Sequence, residues 1–298
     1  VGAVLPPAQL IAPGPGGDAT DVAAIAEYPG VPRAVVGFGS YASVPTVMAA
    51  SLLGIPTILH EQNAILGRAN RLLARRAGRI ATAFEAVAMV PKGGEDKVTR
   101  TGMPVRPAFA RLRERAYQPP ETSGAIRLLV LGGSQGAQVF GQVVPAAVDR
   151  LTARIRSRLA ITQQCRPEAL DAVREAYRKI GIDAELGTFF EDVPARLAAT
   201  HLLVARAGAS TIAEITTLGC PAVLVPYPFA ADDHQTANAH AVTEPGGGWL
   251  MPQDTMTAEE LNEERTRYEV LLEDLDERVK VLAEAQVATT EELKQHRA

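Results

Sequence analysis

The stretch Arg127-Leu128-Leu129-Val130-Leu131-Gly132-Gly133-Ser134-Gln135-Gly136-Ala137 decides the fold. Its first five residues form a run of Leu and Val of the kind needed by a strand covered on both faces, as parallel sheets require. The glycines that follow let the backbone turn tightly and approach a ligand, and a helix follows the loop. A helix starting there offers unpaired N–H groups and the positive end of its dipole to phosphate oxygens, and the Ser134 hydroxyl can add a donor. A strand-to-helix turn that binds nothing has the same local sequence, so this loop alone does not fix a function.

Reading outward, the same strand, loop and helix unit recurs. Downstream, residues 160–164, 184–187, 202–205 and 222–226 read as strands, and 168–180, 193–199, 211–218 and 234–243 as helices. Upstream, 34–36, 56–59, 79–83 and 98–101 read as strands and 44–53 and 67–77 as helices, with 102–106 a turn leaving the lobe and 117–124 a linker. Alternating β and α elements with short connections predict doubly wound parallel sheets, whose ligands bind beyond the carboxyl ends of the strands. A chain of 298 residues is long enough for two such lobes of about 100–150 residues each. The expected division is a first lobe over 1–122, a second over 123–256, and a charged helical tail over 257–298.

Bulk properties exclude several classes. The net charge of −4 argues against a nucleic-acid binder, although residues 1–124 carry 13 basic and 9 acidic groups, a local excess of +4. Five of those basic residues, Arg68, Arg71, Arg75, Arg76 and Arg79, fall in one stretch that also holds Leu72 and Leu73. Such a helix face can rest on anionic lipid headgroups, or it can be an ordinary solvated helix. No apolar run reaches the roughly 18–20 residues of a membrane span, and no secretory leader is recognisable. Two distant cysteines, Cys165 and Cys220, fit a reducing compartment. No Cys/His cluster has metal-site spacing, so no bound metal and no cofactor are expected.

Two further loops make a ligand-free reading of the glycine loop less attractive. Ala205-Arg206-Ala207-Gly208-Ala209-Ser210-Thr211 again joins strand to helix, and the Glu214 carboxylate beyond it can accept hydrogen bonds from both hydroxyls of a ribose. Both readings put Glu214 on the helix's first turn, and in the bland alternative it only complements the dipole. Pro226-Tyr227-Pro228-Phe229 ends another strand, and Asp232-Asp233-His234-Gln235 opens the next helix with imidazole and amide groups suited to sugar hydroxyls. Three polar loops on one sheet edge form a nucleotide-sugar pocket.

With these residues in hand, the chain resembles the MurG family of bacterial glycosyltransferases, which move N-acetylglucosamine from UDP onto lipid I to make lipid II. The matching strings are Val36-Gly37-Phe38-Gly39-Ser40-Tyr41, His60-Glu61-Gln62-Asn63-Ala64, Gly102-Met103-Pro104-Val105-Arg106, Gly132 to Ala137, Arg206 to Glu214 and Asp233 to Ala239. They fall in the family's order over about residues 35–253. The resemblance implies a GT-B architecture, two Rossmann-like lobes with a cleft between them and the first lobe incomplete. It implies that Asn63, Arg106, Ser134, Gln135 and Gly136 contact the donor and that Ala209, Ser210, Thr211 and Glu214 wrap the uridine ribose. Phe190 would close on the uracil through its backbone, and Gln235 with His234 would read the sugar hydroxyls. The implied partners are UDP-N-acetylglucosamine, lipid I, an anionic membrane surface and other cell-wall synthesis proteins, at the cytoplasmic face of the inner membrane. The implied process is peptidoglycan synthesis and, through it, cell shape and division.

Departures from the family bear on catalysis. The family opens with a glycine-rich loop ending in the His most often proposed as the base, and no such loop is found here. The chain begins at Val1, and residues 5–17 are rich in Pro and Gly, so a missing or rearranged opening segment is expected. Ser40 stands where the family commonly has Gly. Inverting displacement at the donor's anomeric carbon needs a base for the acceptor hydroxyl and stabilisation of departing UDP. Glu61 and His60 are the candidates for the first, and a structural part for either is an equal alternative. A non-catalytic UDP-sugar-binding module is the main rival. A weaker one is NAD binding through Gly37-Phe38-Gly39-Ser40-Tyr41-Ala42, a loose dinucleotide fingerprint.

Overall fold

The computed structural model describes residues 32–115, 117–121, 123–133 and 138–257. The expected tail beyond Thr257 and the Pro/Gly-rich opening lie outside them. The chain divides into two compact units between Gly102 and Met103.

In the first unit, β1 (Val35–Gly37), β2 (Thr57–Glu61), β3 (Arg79–Thr82) and β4 (Val98–Arg100) form one parallel sheet in the order β1-β2-β3-β4. Helix α1 (Ser43–Leu52) packs on β1 and β2, and the shorter α2 (Arg68–Leu73) packs on β2. The core between sheet and helices is Val47, Leu59, Leu66, Leu73 and Ile80, all 1% exposed or less. Each such side chain contributes roughly 1.5–3 kcal/mol on burial. Gly37 is fixed by that packing, because a Cβ there would stand 2.7 Å from Val47 Cγ2. The loose dinucleotide pattern around Gly37 therefore has a packing explanation. Ser40 has a φ of +65°, directly after Gly39 at +79°. An L-residue in this left-handed region costs about 1–2 kcal/mol, which is why glycine suits the position better.

The helix expected over 67–77 is six residues long. Its Leu73 is fully buried while Leu72 is exposed, so the two leucines do not share an outward apolar face. Lys97 Nζ donates to the carbonyls of Ala74 and Arg75, at 3.2 and 2.9 Å, and so occupies acceptors just past the C-terminal end of α2.

The second unit opens with α3 (Pro107–Leu112), whose Pro107 takes the first helical position, where a missing N–H costs nothing. The sequence reading missed this helix. Its Phe109 is fully buried, and α3 packs against α7 (Val193–Ala199) and α8 (Ala209–Leu218). Residues that were expected to leave the first lobe thus pack within the second compact unit. The sheet comprises β5 (Ile126–Leu131), β6 (Leu159–Gln164), β7 (Glu185–Gly187), β8 (Leu202–Ala205), β9 (Ala222–Leu224) and β10 (Gly248–Leu250), all parallel, in the order β10-β9-β8-β5-β6-β7. Helices α4 (Gln138–Asp149), α5 (Ala153–Arg156), α6 (Leu170–Lys179) and α9 (His234–Thr243) complete it. The strand order runs outward one way through β6 and β7 and the other way through β8, β9 and β10. It reverses between β5 and β8, which makes that position the topological switch point.

The amino-terminal edge of this sheet is tied by His201. Its Nδ1 accepts from Arg127 N–H at 3.0 Å, its Nε2 lies 2.8 Å from Arg127 Nη2, and its carbonyl accepts from the Tyr117 hydroxyl at 3.0 Å. Burial, reinforced by the Arg127 charge, pushes the His201 pKa down to about 4. Between about pH 6.5 and 4 the unfolded chain therefore binds the proton that folded His201 refuses, and stability falls as pH falls through that window. The expected loss is on the order of 1–2 kcal/mol after solvent screening. Urea unfolding across this range should show a shallower pH slope for His201→Gln than for the parent chain, and equal slopes would refute the assignment.

Candidate functional site

Because every strand of the second sheet runs the same way, all its carboxyl ends meet one edge. At the switch point Leu131 of β5 is paired in register with Ala205 of β8. The chain turns there at Gly132 and Gly133, the latter with a φ of +78°, on its way to α4. Ser134, Gln135 and Gly136, expected to contact a phosphate, lie outside the described residues. From Ala205 the chain runs through Arg206, Ala207 and Gly208 into α8, whose first turn is Ala209, Ser210 and Thr211. The first bond back from α8 is Ile212 N to Gly208 O at 3.0 Å, so the N–H groups of those three residues have no acceptor within the helix. This helix amino end opens at the switch point, beside the turn at Gly132 and Gly133, an arrangement that attracts anions. At its far end α8 stops at Gly219, φ +63°, with Cys220 N bonded back to Ile215 O.

Glu214 sits on the second turn of α8, not the first, so the dipole-complement alternative falls away. The structure brings it together with Arg106: Arg106 Nη2 lies 3.0 Å from Glu214 Oε1, with the Glu214 side chain 17% exposed and Arg106 55%. Burial raises the Glu214 pKa, and the Arg106 charge and hydrogen bond pull it back. Arg106 also stands 4.9 Å over the Phe109 ring, which fixes its approach from the start of α3.

The third loop is organised by side chains. Gln235, in the first turn of α9, accepts from Tyr227 N–H through Oε1 at 2.9 Å. His234 Nδ1 bonds the Ala231 carbonyl at 2.8 Å, so Nδ1 carries the proton and Nε2 of the neutral ring is an acceptor. Asp232 and Asp233, both at φ +53°, make the sharp entry to α9. Asn238, fully buried on α9, donates to Ala207 O at 3.1 Å and so locks this helix to the loop before α8. Arg206, which the sequence reading did not single out, donates to Val225 O, Pro226 O and Gln253 Oε1.

Phe190 follows β7 on the same edge. Its ring lies under the Arg196 guanidinium at 4.5 Å, and a Cβ on Gly187 would stand 2.8 Å from it. Arg196 is held by Glu185 at 2.6 and 2.8 Å and by Asp192 at 2.6 Å, and both carboxyl pKa values are lowered by it. With the Phe190 ring taken up this way, the loop presents its backbone and the exposed Phe189 side chain.

In the first unit, the turn after β2 has a geometry that the sequence did not foretell. Glu61 is 2% exposed and accepts four hydrogen bonds: Oε1 from Asn63 N and Nδ2 at 3.0 and 3.2 Å, Oε2 from Gly67 N and Asn70 Nδ2 at 2.8 Å each. A carboxylate has about four lone-pair sites, and here all are taken. His60, also buried, bonds the Gly102 carbonyl through Nε2 at 3.0 Å and meets Gln62 Nε2 at Nδ1, 3.2 Å away. Since the amide can only donate, Nδ1 accepts and the proton resides on Nε2. Both candidate bases thus have their acceptor atoms engaged within the chain, which gives each a structural part in this turn. Asn63, expected to touch the donor, is held by Glu61 instead of standing alone. Among the described residues no group of three or more His, Cys, Asp and Glu side chains could hold a metal ion.

Two lobes of parallel sheet flanked by helices define the GT-B class of glycosyltransferase folds, to which solved relatives of the same architecture belong. The sequence model of the Glycosyltransferase family 28 C-terminal domain matches residues 127–293, and that of the family 28 N-terminal domain matches residues 26–82. The chain belongs to glycosyltransferase family 28. It is 60% identical over 230 residues to the UDP-N-acetylglucosamine--N-acetylmuramyl-(pentapeptide) pyrophosphoryl-undecaprenol N-acetylglucosamine transferase of Paramagnetospirillum magneticum, covering 77% of this chain and 62% of that protein. A protein of the same name from Rhodospirillum centenum is 54% identical over 230 residues, with 77% and 61% covered. The chain therefore spans about three fifths of the length of the curated relatives it matches. The crystal structure of Acinetobacter baumannii MurG is similar with a TM-score of 0.70 at 31% identity, covering 90% of this chain and 72% of that one.

The lock between α9 and the loop before α8 can be measured. Replacing Asn238 by Leu keeps the branched shape but strands the Ala207 carbonyl, which should cost at least about 1–3 kcal/mol of second-lobe stability in urea unfolding. No loss would mean that the Asn238 bond does not organise the edge.

Proposed function

We propose that the chain carries the donor-binding machinery of an inverting transferase that moves N-acetylglucosamine from UDP-N-acetylglucosamine to undecaprenyl-diphosphate-linked N-acetylmuramyl pentapeptide. The observation that carries this reading is the switch point: the α8 amino end opens there beside the glycine turn after β5, with the Glu214 carboxylate on α8. The relatives at 54% and 60% identity support the substrates, since their names state them. In this reading the N–H groups at the α8 start and in the glycine loop receive the diphosphate, Glu214 accepts from the ribose hydroxyls, and the 188–191 backbone meets the uracil. His234 and Gln235 meet the sugar. Arg106 both neutralises Glu214 and lies close enough to it to share the departing charge. In the reaction the acceptor oxygen bonds to the anomeric carbon as the bond to the diphosphate oxygen breaks, and the hydroxyl proton passes to a base.

Calorimetry on the full chain tests the donor half. UDP and UDP-N-acetylglucosamine should bind, and Glu214→Ala should weaken UDP by roughly 10–100-fold, the equivalent of about 1.5–3 kcal/mol for hydrogen bonds to a charged group. A chain indifferent to millimolar UDP would end the proposal. Turnover of lipid I tests the other half, and donor binding without turnover would favour a binding module.

The filled valences of Glu61 make it a positioning residue for the Asn63 turn. Glu61→Gln should lower first-lobe stability by about 1–3 kcal/mol, because an NH2 group would then face N–H donors. If turnover instead fell by the factor of about 10²–10⁴ expected for a lost base while stability stayed unchanged, Glu61 would be the base after all.

Among the described residues no helix is long and apolar enough to cross a membrane. We assign peripheral contact with anionic lipid at the cytoplasmic face to the first lobe, where Leu72 and Met89 are exposed beside the basic stretch from Arg68 to Arg79. Co-sedimentation with anionic liposomes at low salt checks this, and its absence there would remove the idea.

A further inference from the structure

On the carboxyl edge of the second sheet Arg206 engages two backbone carbonyls, a side-chain amide and two aromatic rings, and the donor-binding reading gives it no task. It leaves the end of β8. Its Nη1 donates to Val225 O at 3.2 Å and Pro226 O at 3.0 Å, both just past β9, and its Nη2 donates to Gln253 Oε1 at 2.5 Å, just past β10. Its guanidinium stands 5.2 Å from the Phe140 ring centre on α4, the helix that follows β5, and 5.5 Å from that of Tyr227. The strands β10, β9, β8 and β5 are consecutive in the sheet, so one planar fork spans the ends of four neighbours. Lysine, a point charge on a flexible stem, cannot reproduce such a fork.

The fork also bears on Gln235. Tyr227 is gripped on its ring side by Arg206 and through its N–H by Gln235 Oε1 at 2.9 Å. A backbone N–H can only donate, so the atom facing it is the amide oxygen, and the NH2 group is turned the other way. The direction in which Gln235 offers its NH2 thus follows from where Tyr227 sits, and Arg206 decides where Tyr227 sits.

We infer that Arg206 is a positioning residue for donor-sugar selectivity: by clamping the Val225–Tyr227 segment it aims the Gln235 carboxamide, so that one configuration of the sugar hydroxyls is preferred. This rests on the reading of the edge as a UDP-sugar site. It requires that Arg206 act on the sugar and not on the UDP portion common to all such donors.

The test is calorimetry on the full chain with three probes, UDP, UDP-N-acetylglucosamine and its 4-epimer UDP-N-acetylgalactosamine. Arg206→Lys should leave UDP affinity within about threefold of the parent while the preference for UDP-N-acetylglucosamine over the epimer falls by about tenfold or more. Gln235→Ala should lose the same preference, and the double variant should lose little beyond either single one. Loss of affinity for all three probes in parallel would mark Arg206 as merely structural and overturn the inference, as would an unchanged preference. Should Arg206→Lys fail to fold, Gln253→Leu removes a single acceptor of the fork, and the same ratio decides. A parent chain that ignores UDP would remove the proposed function and this inference together. A parent that binds UDP, with variants that keep the preference, would remove this inference alone.

Discussion

A parallel sheet gathers the carboxyl ends of all its strands on one edge, and that constraint governs the second lobe. The edge receives the loops that end β5, β8 and β9, and helix α8 begins there with N–H groups lacking intrahelical acceptors. Strand order reverses between β5 and β8, the position at which such sheets receive their ligands. The edge is therefore rich in unpaired donors by construction, which suits anions, but its loops have few backbone partners of their own. Side chains must hold them.

The two lobes solve this in opposite electrostatic senses. In the first, the loop after β2 closes around an anion: Glu61 collects the N–H groups of Asn63 and Gly67 and two side-chain amides. In the second, the loops close around a cation: Arg206 collects two carbonyls and an amide oxygen. A charge withdrawn from water is tolerated when hydrogen bonds replace its solvation: Glu61 fills all four acceptor sites, and the half-buried Arg206 makes three donor contacts. The choice of sign follows the backbone. A turn into a helix start exposes N–H groups and calls for an acceptor, whereas strand ends that run on without a helix expose carbonyls and call for a donor. Asn238, reaching Ala207 O from α9, adds a neutral donor to a carbonyl of the loop that leads into α8.

Much of this was legible in the sequence because it is periodic. The Leu and Val runs gave β5 and β8 to within a residue, and α7 and α9 fall where their periodicity put them. Strand β10 was missed because Gly248-Trp249-Leu250 is too short and too glycine-rich to carry an alternation, and it is defined only by pairing with β9. Helix α2 was read too long because Ala74, Arg75 and Arg76 have high helical propensity, yet Ala74 and Ala77 are drawn into the core and the chain turns. Of the candidate site, motif order supplied names, Glu214, Gln235 and Arg106 among them, but partners 108 residues apart, such as Arg106 and Glu214, are made by folding and leave no local trace. Glu61 looked like a base for the same reason: a carboxylate beside a histidine reads alike whether its oxygens are open or filled.

The Arg106–Glu214 pair also accounts for where the compact units divide. A Pro-containing stretch at residues 117–124 looks like the natural hinge, yet the division falls at Gly102, some fifteen residues earlier. Glu214 lies too far along α8 for the dipole to help it, and burial works against its charge, so it needs a cation brought from elsewhere. Arg106 supplies one only if the chain just after Gly102 already lies along α8, and the buried Phe109 holds it there against α7 and α8. Pro107 starts α3 at once, leaving Arg106 at the cap with its guanidinium over Phe109. Gly102 itself has a φ of +74°, a conformation that glycine adopts without strain, so the break in packing comes at the residue best able to turn. The unit boundary is thus set by the need to compensate one buried carboxylate rather than by the composition of the linker.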